Sequence, residues 1–313
     1  MPGLMKIRIG IILGIDGDSD PGPFGEAVTA MEELGFDSLW LAELTSRATP
    51  DPIVGLTWAA ARTSRLKIGP GVLVLPGRNP AVVAKQLASL DRLSGGRLLV
   101  AFGLGLPDPA ERAAFPIPAG QTRGQAFDAA LVLVRRYLGG EVVDGVRVRP
   151  DPVQQPFDLW VGGNSPPALV RAGRLADGWL PSLVTPEEAA EGRAVIEREA
   201  AAAGRRIDPE HFGVSLTYLD ASLSNGKDSL ASGKDSIPEV LLASIARRRP
   251  GLDPAVLVPL GLDGAVRRIE EFVAAGFSKF VVRPAGRPPS TRGTVSPTAT
   301  LEAMADALLP LQT

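Results

Sequence analysis

The stretch from Leu90 to Gly105, LDRLSGGRLLVAFGLG, decides the fold. It reads as the end of an amphipathic helix, a turn on Ser94-Gly95-Gly96, a buried strand from Leu98 to Phe102 and a glycine loop where that strand stops. Helix, glycine-marked turn, apolar strand and loop recur along the chain, the pattern of parallel βα units.

Working outward, Ile7 to Leu13 reads as the first strand. A helix over Phe24 to Leu34, with Gly35 suited to a left-handed cap, leads into the second strand, Ser38 to Ala42. Asp51-Pro52 starts a helix to about Thr63, followed by a third strand from Leu66 to Val74. Its Gly69-Pro70-Gly71 is costly in a ladder unless the backbone bulges or lies close to something. After the fourth strand come a helix from Gln121 to Leu138 and a hairpin over Glu141 to Val148, turning on Asp144-Gly145. Strands five to eight fall at Leu159–Val161, Gly178–Pro181, Gly213–Leu219 and Lys279–Val282. The expected fold is α/β, a TIM (β/α)8 barrel formed by residues 1–313 as one domain, with insertions after strands 4 and 7. The run Ser222 to Ser236, rich in serine, glycine and lysine, reads as a mobile insertion, either a lid or a plain linker.

Composition narrows the function. Of 313 residues, 45% are hydrophobic and 22% charged, the net charge is −2, and no basic stripe alternates with aromatics, so no nucleic-acid partner is expected. With no cysteine and one histidine, His211, disulfides, thiolate nucleophiles and the common transition-metal sites are not expected, and no metal is assigned. The apolar run near the N-terminus is too short to span a bilayer, so no membrane association and a cytoplasmic location are expected.

Barrel enzymes place their chemistry at the carboxyl ends of the strands. That face collects Glu43, the Gly71-to-Pro76 segment, Gly103-Leu104-Gly105, Gly162-Gly163-Asn164-Ser165, Ser182, Tyr218 and Arg283. Glu43 is either a solvated strand end or a buried group facing the mouth. Gly162-Gly163 running into a helix suits a phosphate, although such a turn also arises for geometric reasons alone. Arg283, ending the last strand, adds a cation there, whereas Arg171 and Arg174 either reach the phosphate or form a solvated face. His211 precedes a strand and belongs to the amino-terminal, stability-related face.

At these residues the chain resembles the bacterial luciferase-like family of flavin- or coenzyme F420-dependent oxidoreductases. The resemblance rests on Gly35-Phe36-Asp37-Ser38-Leu39-Trp40 with Glu43, on Leu75-Pro76-Gly77-Arg78-Asn79-Pro80, Leu93-Ser94-Gly95-Gly96-Arg97 and Gly103-Leu104-Gly105, and on Trp160 to Ser165 with Ala176-Asp177-Gly178-Trp179. These pieces fall in family order from about residue 6 to 284. The resemblance implies a cofactor ring across the barrel mouth with Glu43 beside it, as catalytic residue and cofactor contact. It also implies a non-proline cis peptide at Gly71-Val72 behind the ring, and a cofactor phosphate near Gly162, Gly163 and Asn164 with Ser182 and Arg283. The chain departs from the family where Leu44 stands for a histidine and Leu106-Pro107 for a glutamate, which leaves proton transfer to Glu43, Asp108, Glu111, Tyr218, the substrate or water. The implied function is hydride transfer between coenzyme F420 and a small-molecule substrate, an alkene, imine or carbonyl, by a homodimer. An FMN-dependent monooxygenase and a non-catalytic flavin- or deazaflavin-binding protein are the alternatives.

Overall fold

The computed structural model describes residues 5–13, 21–220, 237–285 and 297–313. The expected Ser222–Ser236 insertion lies outside them. In chain order the elements are β1 (Arg8–Leu13), α1 (Pro21–Leu34), β2 (Ser38–Leu41), α2 (Pro52–Arg62), β3 (Lys67–Val74), α3 (Pro80–Leu93), β4 (Ala101–Gly103), α4 (Pro109–Ala113) and α5 (Arg123–Leu138). There follow the hairpin β5 (Val142–Val143) and β6 (Val146–Arg147), then β7 (Trp160–Val161), α6 (Pro166–Leu175), β8 (Gly178–Trp179), α7 (Pro186–Ala202) and β9 (Gly213–Leu219). The chain continues through α8 (Glu239–Arg248), α9 (Pro254–Leu257), α10 (Gly261–Ala274), β10 (Lys279–Ala285) and α11 (Pro297–Leu308). Eight parallel strands run in the order β8-β7-β4-β3-β2-β1-β10-β9. Bridges Trp179 to Phe212 and Ser182 to Ser215 join β8 to β9 and close the barrel.

The opening motif is a staple between helix ends. Gly95 and Gly96 take left-handed backbone conformations (φ 69° and 83°), turning the chain after α3 so that Arg97 faces the end of α2. Its guanidinium donates to the carbonyls of Ala60, Thr63 and Leu66 at 2.7–3.0 Å, and its Nε to Ser94 O at 2.7 Å. A cation on the last carbonyls of a helix satisfies groups that have no partner within it. The strand after it is shorter than expected. Leu98 makes one bridge to Ile68, and β4 proper begins only at Ala101. The neighbouring β3 residue is Pro70, which has no N–H to offer the ladder at that point.

Strand alternation sorts the core into two layers. Leu39, Leu41, Val214, Leu216, Tyr218 and Val282 face the helices, whereas Ile12, Trp40, Ala101, Trp160, Leu180 and Val281 pack with Val72 and Leu99 inside the barrel. The glycines of β3 belong to this interior. A Cβ on Gly69 or Gly71 would sit 2.9 or 3.0 Å from the Trp40 ring, and one on Gly69 also 2.8 Å from the Leu99 carbonyl, so what this strand lies close to is the indole and, at Gly69, the β4 side of the backbone.

Polar anchors hold the outer parts. The Glu32 carboxylate of α1 accepts from the backbone of Ser64, Arg65 and Leu66 and from the Ser64 hydroxyl at 2.8–3.2 Å. Burial pushes this carboxyl up, but those donors outweigh it and pull it down to about 2. Asp91, fully buried on α3, accepts from the amides of Val153 and Gln154 and from the Gln154 side chain, fixing the excursion that carries the hairpin. No helix among the described residues is long and apolar enough to cross a membrane.

Candidate active site at the barrel mouth

Residues two positions beyond the apolar interior layer form the next layer toward the carboxyl ends. Beyond Ala101 and Trp160 come Gly103 and Gly162, and beyond Leu180 and Val281 come Ser182 and Arg283. Val72 stands among them. A Cβ on Gly103 would meet its Cγ2 at 2.4 Å and one on Gly162 its Cγ1 at 3.3 Å, so these glycines leave room for an apolar surface over Trp40. The Gly71–Val72 peptide is cis, as the resemblance implies, and the β3–β4 register shifts between Gly71 and Leu73.

Glu43 lies just beyond β2, its side chain 6% exposed. One carboxylate oxygen accepts from Val74 N at 2.7 Å, and the other pairs with the Arg78 guanidinium. Burial raises its pKa against the pull of Arg78 and the Val74 amide. With both oxygens engaged, Glu43 is arranged to fix the end of β3 rather than to exchange a proton freely. Arg78 carries no local signal of this role, standing 35 residues along the chain from its partner.

The opposite side of the mouth is rich in donors. Gly163 is left-handed (φ 91°), and its carbonyl accepts from Trp179 Nε1 at 2.7 Å, which orients the turn before α6. Ser165 caps α6 without a side-chain hydrogen bond, but the helix opens on Pro166-Pro167, which carry no N–H, and the Ala168 and Leu169 amides donate to the Ser165 carbonyl at 2.8 and 3.0 Å, so the amides on offer to an anion belong to the turn around half-buried Asn164 and not to the helix. On the adjoining strands, Ser182 Oγ accepts from Arg248 at 2.8 Å, and Arg283 donates to Thr217 Oγ1 at 3.0 Å. Backbone amides, hydroxyls and guanidiniums are the donor set a phosphate requires, so the residues present fit a phosphorylated cofactor.

Several sequence candidates fall elsewhere. Tyr218 shares the outer face of β9 with Val214 and Leu216, is fully buried away from the mouth, and its hydroxyl has no hydrogen-bond partner among the described residues. Burial pushes this phenol up. Glu111 accepts from the amides of Thr45 and Ser46, both at 2.9 Å, and from the Ser46 hydroxyl. Burial alone would raise this carboxyl, but these bonds lower it overall. Asp108 caps α4 and pairs with Arg247. Arg171 pairs with Asp128 and Arg174 with Glu199, so neither reaches toward the mouth. His211 sits before β9 at the amino-terminal end, its ring 3.0 Å from the Asp177 carbonyl and 5.4 Å from the Trp160 ring. Exchange of His211 for glutamine is therefore expected to leave turnover within twofold of wild type, and a tenfold loss in steady-state assays would contradict the strand direction.

Fold and site together define a (β/α)8 barrel of the kind that builds its site on the carboxyl-end loops. The chain belongs to the luciferase-like monooxygenase family, whose sequence model matches residues 7–221. Over 230 residues it is 28% identical to a Mycobacterium tuberculosis protein named for an inferred coenzyme F420-dependent oxidoreductase activity, covering 67% of this chain and 65% of that one. It is also 28% identical over 215 residues to a 5,10-methylenetetrahydromethanopterin reductase of Methanopyrus kandleri, covering 61% of this chain and 60% of that one. The match thus spans less than two thirds of either relative's length. Among solved structures, a monooxygenase from Streptomyces bottropensis superposes with a TM-score of 0.74 at 26% identity, covering 97% of this chain and 99% of the other.

Proposed function

We propose that this chain is an oxidoreductase that uses coenzyme F420 to transfer hydride to or from a small organic substrate carrying an alkene, imine or carbonyl. The carrying observation is the division of the mouth: an apolar surface made by Val72 over Trp40 faces an arc of donors on the β7–β10 side. The relative named for F420 use favours this cofactor. When bound, the deazaflavin supplies the hydride chemistry. Gly162, Gly163, Asn164 and Ser182 would hold its phosphate with Arg283, while Val72 would lie against its ring. Glu43 holds the end of β3 in place through Val74 and so positions that surface. Since Glu43, Asp108 and Glu111 are all engaged and Tyr218 faces away, water carries the proton at the substrate atom. The protein acts as a cytoplasmic homodimer in this reading, on the family pattern.

A second reading, an FMN-dependent monooxygenase, is favoured by the description of the matching family and by the Streptomyces neighbour. The third, a non-catalytic cofactor carrier, is favoured by the absence of a free acid among the described mouth residues named above. Steady-state turnover with a panel of enones, imines and ketones separates them. Anaerobic turnover with reduced F420 supports the proposal, turnover that needs oxygen and reduced FMN supports the second reading, and none with either supports the third.

A further inference from the structure

Helix α8 ends in Arg247 and Arg248, with Arg249 next, and these three consecutive cations go to different places. Arg247 pairs with Asp108, in the loop after β4, at 3.0 Å. Arg249 pairs with Glu188 and donates to the Leu183 carbonyl, in the loop after β8. Arg248, between them, donates at 2.8 Å to the hydroxyl of Ser182, and among the described residues that neutral oxygen is its hydrogen-bond partner. Two arginines thus clamp the end of α8 over the β4–β8 side of the mouth with carboxylates, while the third is held toward the mouth without one among the described residues.

A half-buried guanidinium with no anion beside it among the described residues is costly, because it loses hydration and regains little from a neutral hydroxyl. Its planar fork is the group best matched to an oxyanion, and with one hydrogen bond made to Ser182 it keeps further N–H groups for a ligand. The surroundings agree with that use. Ser182 bridges to Ser215 on β9, and two residues along that strand Thr217 carries the Arg283 guanidinium. Burial and the neighbouring Arg249 charge lower the pKa of Arg248, as expected for a cation not matched by a carboxylate.

We propose that Arg248 is an oxyanion-binding residue of the mouth, one that takes a phosphate or carboxylate of the bound ligand beside Ser182. The proposal rests on the mouth being the ligand site, and its test separates the two claims. In thermal unfolding at constant ionic strength, with chloride exchanged for inorganic phosphate, wild type and Arg247→Gln should both gain in melting temperature. Arg248→Gln should not, and Arg248→Lys, charged but without the fork, should gain less than wild type. A phosphate response in Arg248→Gln equal to wild type, or none in wild type, overturns the proposal. FMN and riboflavin, which differ by a phosphate, then identify the source of the anion. If it is the cofactor's, Arg248→Gln weakens FMN at least tenfold and leaves riboflavin unchanged. If it is the substrate's, FMN and F420 bind the variant as they bind wild type, while the phosphate response of the cofactor-loaded protein is lost. Should wild type bind neither cofactor, the oxidoreductase reading fails and the phosphate response alone decides the role of Arg248. Should Arg248→Gln not fold, the lysine variant decides: a response equal to wild type overturns the proposal and a reduced one supports it.

Discussion

Replacing Asp37 by asparagine is expected to lower the unfolding free energy by about 3–5 kcal/mol, the cost of leaving a buried charge without its partner. Asp37 precedes β2 at the amino-terminal end of the barrel, where its carboxylate meets Lys279 at 2.6 Å, Lys67 at 3.0 Å and Arg8 at 3.7 Å. Lys279 is the partner that decides the outcome, because its side chain is 9% exposed and has no other carboxylate within ion-pairing distance among the described residues. The pH dependence has a definite sign. Burial raises the Asp37 carboxyl, but Lys279 and Lys67 outweigh it and hold it below the ordinary range. A carboxyl whose folded value is depressed contributes stability above its unfolded pKa, about 3.9, and loses it as pH falls toward the folded value. Urea unfolding from pH 7 to pH 3 should therefore show the gap between wild type and Asp37→Asn narrowing below about pH 4. A gap under 1 kcal/mol at neutral pH would show that Lys279 finds other compensation.

The second large effect is expected at Glu43. Glu43→Ala removes the acceptor of the Val74 amide and the carboxylate opposite Arg78, so the end of β3 keeps, of these side-chain ties, only the Arg78 bond to the Val74 carbonyl, at 2.9 Å, and that arginine is no longer anchored by Glu43. Cofactor affinity or turnover should fall at least tenfold, equivalent to about 1.4 kcal/mol. Glu43→Gln keeps an acceptor for Val74 but gives up the charge opposite Arg78, and it should fall between wild type and alanine. Cofactor titration and steady-state kinetics on the three proteins check the order. Equal values for alanine and wild type would remove Glu43 from the site.

Much of the barrel was legible because each βα unit carries its own signals. Strand β9 occupies Gly213–Leu219 as expected, and the Asp144-Gly145 turn lies between β5 and β6. Strands β4, β7 and β8 are shorter than their apolar runs. Hydrophobicity reports burial, whereas a ladder also needs a neighbour able to donate, and Pro70 is not one. The candidate site was legible in its backbone and less so in its side chains. Tyr218 was placed at the mouth by position along the strand, although alternation with Val214 and Leu216 already assigns it to the outer face. Gly69 and Gly71 marked a close approach, and the group that approaches both is Trp40 on the preceding strand β2, joined at Gly69 by the Leu99 carbonyl. Arg78 stood inside a motif of the resemblance but with no signal of its partner, and Arg248 had none at all, since a charge beside a turn and a run of three arginines both look like solvated surface until the fold brings Glu43 and Ser182 to them.

Whether this mouth takes a deazaflavin is decided by titration of the purified protein with F420 and with FMN, followed by fluorescence quenching. F420 is expected to bind more tightly than FMN and to weaken more with added salt, because its acidic tail meets a cationic rim. Tight FMN binding with no measurable F420 binding would contradict that expectation.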